Sequence, residues 1–265
     1  MSFLNLEGKK ILIVGLANKK SVAFHIAKTI KDEGAIPIFS VVDEENLTKG
    51  KKLFPNDDFF ICNVEKKEDI NNLANSIKEK YDKIDGLVHS IAFADYSEGF
   101  KPFHETTREQ FLQALQISSF SLVELSNALK DSFAYDASVI TISISTTKMT
   151  AEPYGFMAPV KASLDSTICF LAKSFSNFSN IRFNAVKAGL LKTSASAGIP
   201  GYIDYYLYAE EATLRKKALT TREVGKTAAF LLSDSSSGIN AQGIVVDCGM
   251  CTNYFDKKIV KKVCE

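Results

Sequence analysis

The chain has 265 residues, 46% of them hydrophobic and 24% charged, which is enough for a sizeable core and ordinary for a soluble globular protein. Its 32 basic residues face 31 acidic ones, a net charge of +1 that excludes a generic nucleic-acid binder, and 14 glycines with 6 prolines exclude a fibrous or low-complexity chain. No apolar run reaches the roughly 18–20 residues of a membrane span, the N-terminal stretch has no apolar signal-peptide core, and five scattered cysteines fit a reducing cytoplasm better than a disulfide framework.

The first predicted strand, Lys10–Gly15, contains the unbroken run Ile11-Leu12-Ile13-Val14 and leads through Gly15, Ala17 and Ser21 into a predicted helix, Ser21–Glu33. Small residues at a strand–turn–helix junction let backbone approach a pyrophosphate, and the helix N-terminus offers free N–H groups and a positive dipole end. The full G-x-G-x-x-G spacing is absent, and any βα turn reads similarly. The second strand, Pro37–Val42, ends at Asp43, whose carboxylate suits adenosine ribose hydroxyls and repels a 2′-phosphate. A strand-end turn residue is the plainer reading of Asp43.

Strand Phe59–Cys62, helix Lys66–Lys80 and strand Gly86–Ser90 follow, then helix Thr107–Asp131 and strand Ser138–Ser143. Helix Pro153–Phe178 carries Tyr154 and Lys161, seven residues apart and so on one face, about 10 Å along the axis. An ammonium there favours a tyrosinate and binds ribose hydroxyls, and the pair suits an acid or oxyanion donor for hydride chemistry. Two surface residues on one helix face are the plainer alternative. Strand Arg182–Val186 precedes an irregular stretch, Thr193–Leu219, with four tyrosines in seven residues (Tyr202, Tyr205, Tyr206, Tyr208). A substrate lid suits that place, as does a packed helical insertion. Helix Thr221–Ser233 and strand Gly243–Asp247 complete the pattern.

Strands alternating with helices predict an α/β fold, a doubly wound seven-stranded parallel sheet in one domain spanning 1–265. Cys248 and Cys251 form a lone CxxC without further ligands in metal spacing, so structural thiols are expected and no metal site. The lysine-rich segment Asp256–Glu265 reads as a solvated, frayed end, with docking of a carrier or a neighbouring subunit as the alternative.

Together, Tyr154-x6-Lys161, the Gly15-x-Ala17-x3-Ser21-x-Ala23 loop, Asp85-Gly86-Leu87-Val88-His89-Ser90-Ile91-Ala92-Phe93-Ala94, Lys161-Ala162-Ser163-Leu164, Ala188-Gly189 followed by Thr193, and Val246-Asp247-x-Gly249 resemble the enoyl-acyl-carrier-protein reductases of the short-chain dehydrogenase superfamily. The motifs cover most of the chain in order. The resemblance implies a Rossmann-type fold with a helical substrate lid at 193–219, hydride transfer from NADH (NAD as cofactor) to the C=C of a 2-enoyl thioester on acyl carrier protein in fatty acid biosynthesis, and a homotetramer built partly through the two long helices. It implies that Tyr154 donates to the thioester carbonyl and that Lys161 holds the nicotinamide ribose. It also implies a cofactor cradle of Gly15, Ala17, Ser21, Val22, Asp43, Asn63, Val64, Ser90, Ile91, Ala92, Lys161, Ala188, Gly189, Leu190 and Thr193. The substrate would touch Ala94, Ile144, Tyr154 and Tyr202. His89 is expected in the core and not in catalysis. The chain departs from the family pattern at Ile144, where a second tyrosine is usual and Ser143 or Ser145 stand beside it, and at Asn63 and Leu190, where Asp and Pro are usual. A related reductase of another substrate, or a non-catalytic NAD-binding protein, is the alternative.

Overall fold

Side-chain alternation explains the unbroken apolar runs. In β1 (Lys10–Val14), Leu12 and Val14 enter the core layer on one face of the sheet while Ile11 and Ile13 enter the layer on the other. Leu87 and Val88 of β4 (Ile84–His89) divide in the same way, as do Val139 and Ile140 of β5 (Phe133–Ile144). A strand buried on both faces needs no polar side, so the sequence shows none.

The computed structural model describes residues 3–97, 99, 101–148, 150–193, 196 and 201–264. Among them, β2 (Ile36–Val41), β3 (Asp58–Ile61), β6 (Arg182–Ala188) and β7 (Gly243–Val246) join the others in one seven-stranded sheet of order β3-β2-β1-β4-β5-β6-β7, and every pairing is parallel. The predicted Rossmann-type α/β fold is therefore the observed one. After β3 the chain returns to the other side of β1, so a crevice opens between the C-terminal ends of β1 and β4, where such sheets bind ligands.

One face is covered by α3 (Lys67–Tyr81), α5 (Ser121–Ala128) and α6 (Met157–Phe175), through residues such as Leu73, Ile77, Leu125, Leu164 and Ile168. The other is covered by α1 (Val22–Asp32) and a later helix, Thr221–Leu232, through Ile26, Ile30, Val224 and Ala228. These two helices meet at Gly225, where an added Cβ would lie 2.9 Å from the His25 backbone carbon and oxygen. Backbone cannot swing aside, so Gly225→Ala is expected to lower stability by about 1–3 kcal/mol, the usual cost of overpacking. Urea unfolding measures it, with Gly238→Ala as the control, because nothing lies within 4 Å of a Cβ there.

Several elements differ from expectation. The predicted helix 107–131 is α4 (Arg108–Leu115), a π-helical turn (Gln116–Phe120) and α5, ending at Ala128. A helix α2 (Glu44–Leu53) fills the gap between β2 and β3, where none was predicted. It buries only Gly50, so it carries little apolar periodicity. Its signals are at the ends: Asp43 as N-cap, Glu44 and Glu45 in the first turn, Lys51 and Lys52 in the last. The irregular stretch contains α7 (Tyr202–Ala212), and Thr221–Leu232 is α8. The C-terminal segment is not a frayed tail but a helix, α9 (Lys257–Cys264), anchored by ion pairs of Asp256 with Lys216 and of Lys262 with Glu211.

Candidate active site

At the crevice, the turn after β1 is held by its own polar atoms. Ser21 caps α1, accepting from the Phe24 N–H at 3.2 Å and donating to the Asn18 carbonyl at 2.7 Å. Gly15 sits at φ +104°, and a Cβ there would come within 2.3 Å of the Ser90 carbonyl oxygen. Glycine thus lets the β1 and β4 ends close together, and the Ser90 N–H donates to the Val14 carbonyl at 3.0 Å. Ala17 is exposed, whereas Val22 is packed in the core, so what α1 presents near Val22 is backbone. Ile91 packs against the core edge, Ala92 is exposed, and Ala188 is buried in the layer below.

Asp43 lies at the mouth, but one carboxylate oxygen is engaged. Its Oδ1 accepts from the Asn46 backbone N–H and side-chain amide, both at 2.8 Å, and these bonds hold its pKa below the usual carboxylate value. Asn63 is likewise used locally: its Oδ1 accepts from the Glu65 N–H and its own N–H donates to Asp69. Val64 is turned into the core.

Lys161 is 4% exposed, and its Nζ donates to the Ile142 carbonyl of β5 at 2.7 Å. Burial pulls its pKa down to about 8, opposed by the charge of Asp165. Close by, His89 is fully buried between Ser121 Oγ (2.8 Å from Nε2) and Thr141 Oγ1 (2.9 Å from Nδ1). The Ser121 hydroxyl donates to the Ile117 carbonyl, so it accepts from His89, which places the ring proton on Nε2. Burial and the Lys161 charge push the His89 pKa down to about 3. The ring is a neutral core spacer, as its strand position implied.

Tyr154 is not on the helix that carries Lys161. It closes a 3₁₀ turn (Glu152–Tyr154), and Gly155 at φ +47° separates that turn from α6, which starts at Met157. A shared helical face therefore does not bring the pair together; the turn in the connection from β5 to α6 sets where Tyr154 sits. Nor does an ammonium favour a tyrosinate here. Burial, and then the phenols of Tyr96 and Tyr202, push the Tyr154 pKa upward, so its hydroxyl keeps its proton. Tyr154 and Ala94 share an apolar cluster with Phe156, Met157 and Val160. Ile144, half-buried, ends β5 opposite Ala188, and the buried Ser143 hydroxyl beside it has no hydrogen-bond partner among the described residues.

Tyr96 belongs to this cluster and escaped the sequence reading, which followed the strand motif only to Ala94. Its hydroxyl donates to the Tyr154 carbonyl at 3.2 Å, and its ring lies 5.6 Å from that of Phe156. The available signal was position: a loop leaving the C-terminal end of a parallel strand is where functional side chains concentrate.

Above the site, Thr193 Oγ1 accepts from the Ser196 N–H at 3.1 Å. The Tyr202 hydroxyl is committed to Leu191, donating to its carbonyl at 2.9 Å and accepting from its N–H at 3.1 Å. Gly189 and Leu190 line a small pocket with Tyr206 and Asp247 under α7. The rest of the predicted lid, residues 194, 195 and 197–200, lies outside the described residues. Asp247 accepts from the Gly249 and Cys251 N–H groups, each at 2.9 Å. Contact with Asp247 raises the Cys251 thiol pKa and burial raises that of Cys248, opposite to a reactive thiolate. Among the described residues no three or more His, Cys, Asp or Glu converge as metal ligands, and no helix is long and apolar enough to cross a membrane.

Sheet order, crevice and buried lysine define an α/β protein of the Rossmann type. The sequence profile of the family described as Enoyl-(Acyl carrier protein) reductase matches residues 15–251, and the chain belongs to that family. It is 36% identical over 252 residues to the NADH-dependent enoyl-[acyl-carrier-protein] reductase FabI of Nostoc sp., covering 93% of this chain and 97% of that one. It is also 36% identical over 251 residues to the NADPH-dependent FabI of Staphylococcus aureus, covering 93% and 98%. The crystal structure of the NADH enoyl-[acyl-carrier-protein] reductase of Aquifex aeolicus superposes with a TM-score of 0.90 at 32% identity, covering 95% of this chain and 99% of that one.

Proposed function

We propose that this protein reduces the carbon–carbon double bond of 2-enoyl thioesters carried on acyl carrier protein, with NADH, as a step in fatty acid biosynthesis. The observation that carries the reading is a buried Lys161, its Nζ donating to the Ile142 carbonyl of β5, together with a Tyr154 phenol kept protonated in an apolar cluster, in a chain whose family match spans residues 15–251. The crevice fits a dinucleotide: the Gly15 turn has no side chain to obstruct it, α1 points its N-terminus there, and the exposed Asp43 carboxylate is an acceptor suited to ribose hydroxyls. When bound, the nicotinamide supplies the hydride that reaches the β-carbon.

The chain's own residues do the rest. Lys161 donates to ribose hydroxyls, and Val22 at the start of α1 offers its N–H to the diphosphate; Gly15 and Ser21, whose own N–H groups donate to the Ser40 and Asn18 carbonyls, let it approach, and 90–92 run beside the cofactor. Ala188, Gly189, Leu190 and Thr193 flank the nicotinamide end, and Asn63 and Val64 border the adenine. Tyr154, a hydrogen-bond donor at every working pH because its phenol pKa is raised, stabilises the enolate oxygen that develops on the thioester. Ala94 and Ile144 line the acyl side. Tyr202 contributes its ring, since its hydroxyl holds Leu191. Residues 193–219 act as the lid of one dinucleotide-binding domain, 1–265. Five free cysteines suit a cytoplasmic enzyme. Exposed Leu112, Phe120 and Phe170 on α4, the π-helical turn and α6 favour a homotetramer, whose mass light scattering reads.

NADH oxidation with a short 2-enoyl thioester tests the reaction. Turnover is expected; turnover with a ketone alone would point to another substrate, and tight NADH binding without turnover to a non-catalytic protein. Asp43 predicts the cofactor, because a 2′-phosphate would sit beside its carboxylate. kcat/KM is expected to favour NADH over NADPH, and a preference for NADPH overturns the role given to Asp43.

A further inference from the structure

We propose that Tyr96 is a positioning residue that fixes the direction of the Tyr154 phenol by gripping both sides of the Gly155 joint. The proposal rests on the reading of Tyr154 as the thioester's hydrogen-bond donor. Tyr154 ends a 3₁₀ turn, Gly155 adopts φ +47°, and α6 begins at Met157 with no side chain capping it. Two residues thus separate Tyr154 from the helix that holds Lys161, and helix geometry does not set the angle between them.

The Tyr96 side chain spans that gap. Its hydroxyl donates to the Tyr154 carbonyl at 3.2 Å, and its ring packs against Phe156 with centroids 5.6 Å apart and planes at 34°. One rigid side chain from the loop after β4 therefore holds the residue before Gly155 by a hydrogen bond and the residue after it by an aromatic contact. Burial pushes the Tyr96 pKa up to about 12, so the hydroxyl stays a donor. Ile144, which ends β5, has no polar atom in its side chain with which to make that bond.

Tyr96→Phe keeps the ring on Phe156 and removes the hydroxyl alone. With NADH and a short 2-enoyl thioester, kcat is expected to fall about fivefold, the effect of one neutral hydrogen bond of ordinary strength. The Kd for NADH should not change and the Tm should fall by no more than about 2–4 °C, which separates positioning from a general loss of structure. In a Tyr154→Phe background the same substitution should cost nothing more, because it acts through a phenol already absent. Unchanged kcat in Tyr96→Phe, a weakening of NADH binding in step with kcat, or losses that multiply in the double variant would each overturn the proposal. Tyr154→Phe alone reports on the underlying reading: full activity in that variant removes the reading and the proposal together. A large loss there with multiplying losses in the double variant removes only the role of Tyr96.

Discussion

Tyr154→Phe is expected to lower kcat by about 10²–10³, or roughly 3–4 kcal/mol, the usual effect of removing one donor from an oxyanion site. The size follows from the setting. The phenol is held in an apolar cluster with Phe156, Met157 and Val160, where a hydrogen bond to developing charge is worth more than in water. Its raised pKa means that the donor is present throughout the working range, so the loss should not depend on pH between 6 and 9. NADH affinity should survive, because the Gly15 turn and Lys161 are untouched. Steady-state kinetics and NADH fluorescence titration check both halves. A variant with near-native kcat would mean that water or the unpartnered Ser143 hydroxyl does this work.

Lys161→Ala is expected to weaken NADH binding by about 10- to 100-fold, the range for a charge-assisted hydrogen bond, and to reduce turnover with it. The pH dependence has a definite sign. Burial lowers the Lys161 pKa from 10.5 to about 8, so the ammonium form is complete below that value and disappears above it. NADH affinity of the native protein should therefore fall as pH rises through about 8, and bound NADH should raise the pKa by linkage. Stability responds in the opposite direction. The folded pKa lies below the unfolded one, so the cost of a buried charge is present below pH 8 and fades towards pH 10.5, and the cofactor-free protein gains stability across that interval. Lys161→Met abolishes both trends. If Lys161→Ala bound NADH normally and Tyr154→Phe kept full activity, the Tyr-x6-Lys spacing would be a coincidence and the mechanism wrong.

The two tests aim at residues whose spacing was visible in the chain but whose arrangement was not. Seven residues between Tyr154 and Lys161 suggested one helical face, yet a 3₁₀ turn and Gly155 intervene. The same limit hid α2, whose exposed faces carry no apolar period, and the break of the long helix at Gln116–Phe120. It also hid the anchoring of α9, because the partners of Asp256 and Lys262 lie 40 or more residues away in sequence.

What the chain determined by itself was local and repetitive. Runs such as Ile11-Leu12-Ile13-Val14, alternating with helical patterns, are how strands buried on both faces read, and a parallel sheet between helix layers provides that burial. The φ of +104° at Gly15 is likewise local and legible, although the Ser90 carbonyl that a Cβ would strike comes from a distant strand. What the tertiary structure decided was which side chains meet across distance. Lys161 finds the Ile142 carbonyl because α6 packs on β5, and that burial sets its pKa. Tyr96 reaches Tyr154 across 58 residues of sequence because loops leaving two different strands converge at one end of the sheet. Neither contact leaves a periodic trace in the sequence, since each joins one residue to one distant partner, whereas burial of a strand or helix face repeats along the element and can be read from it.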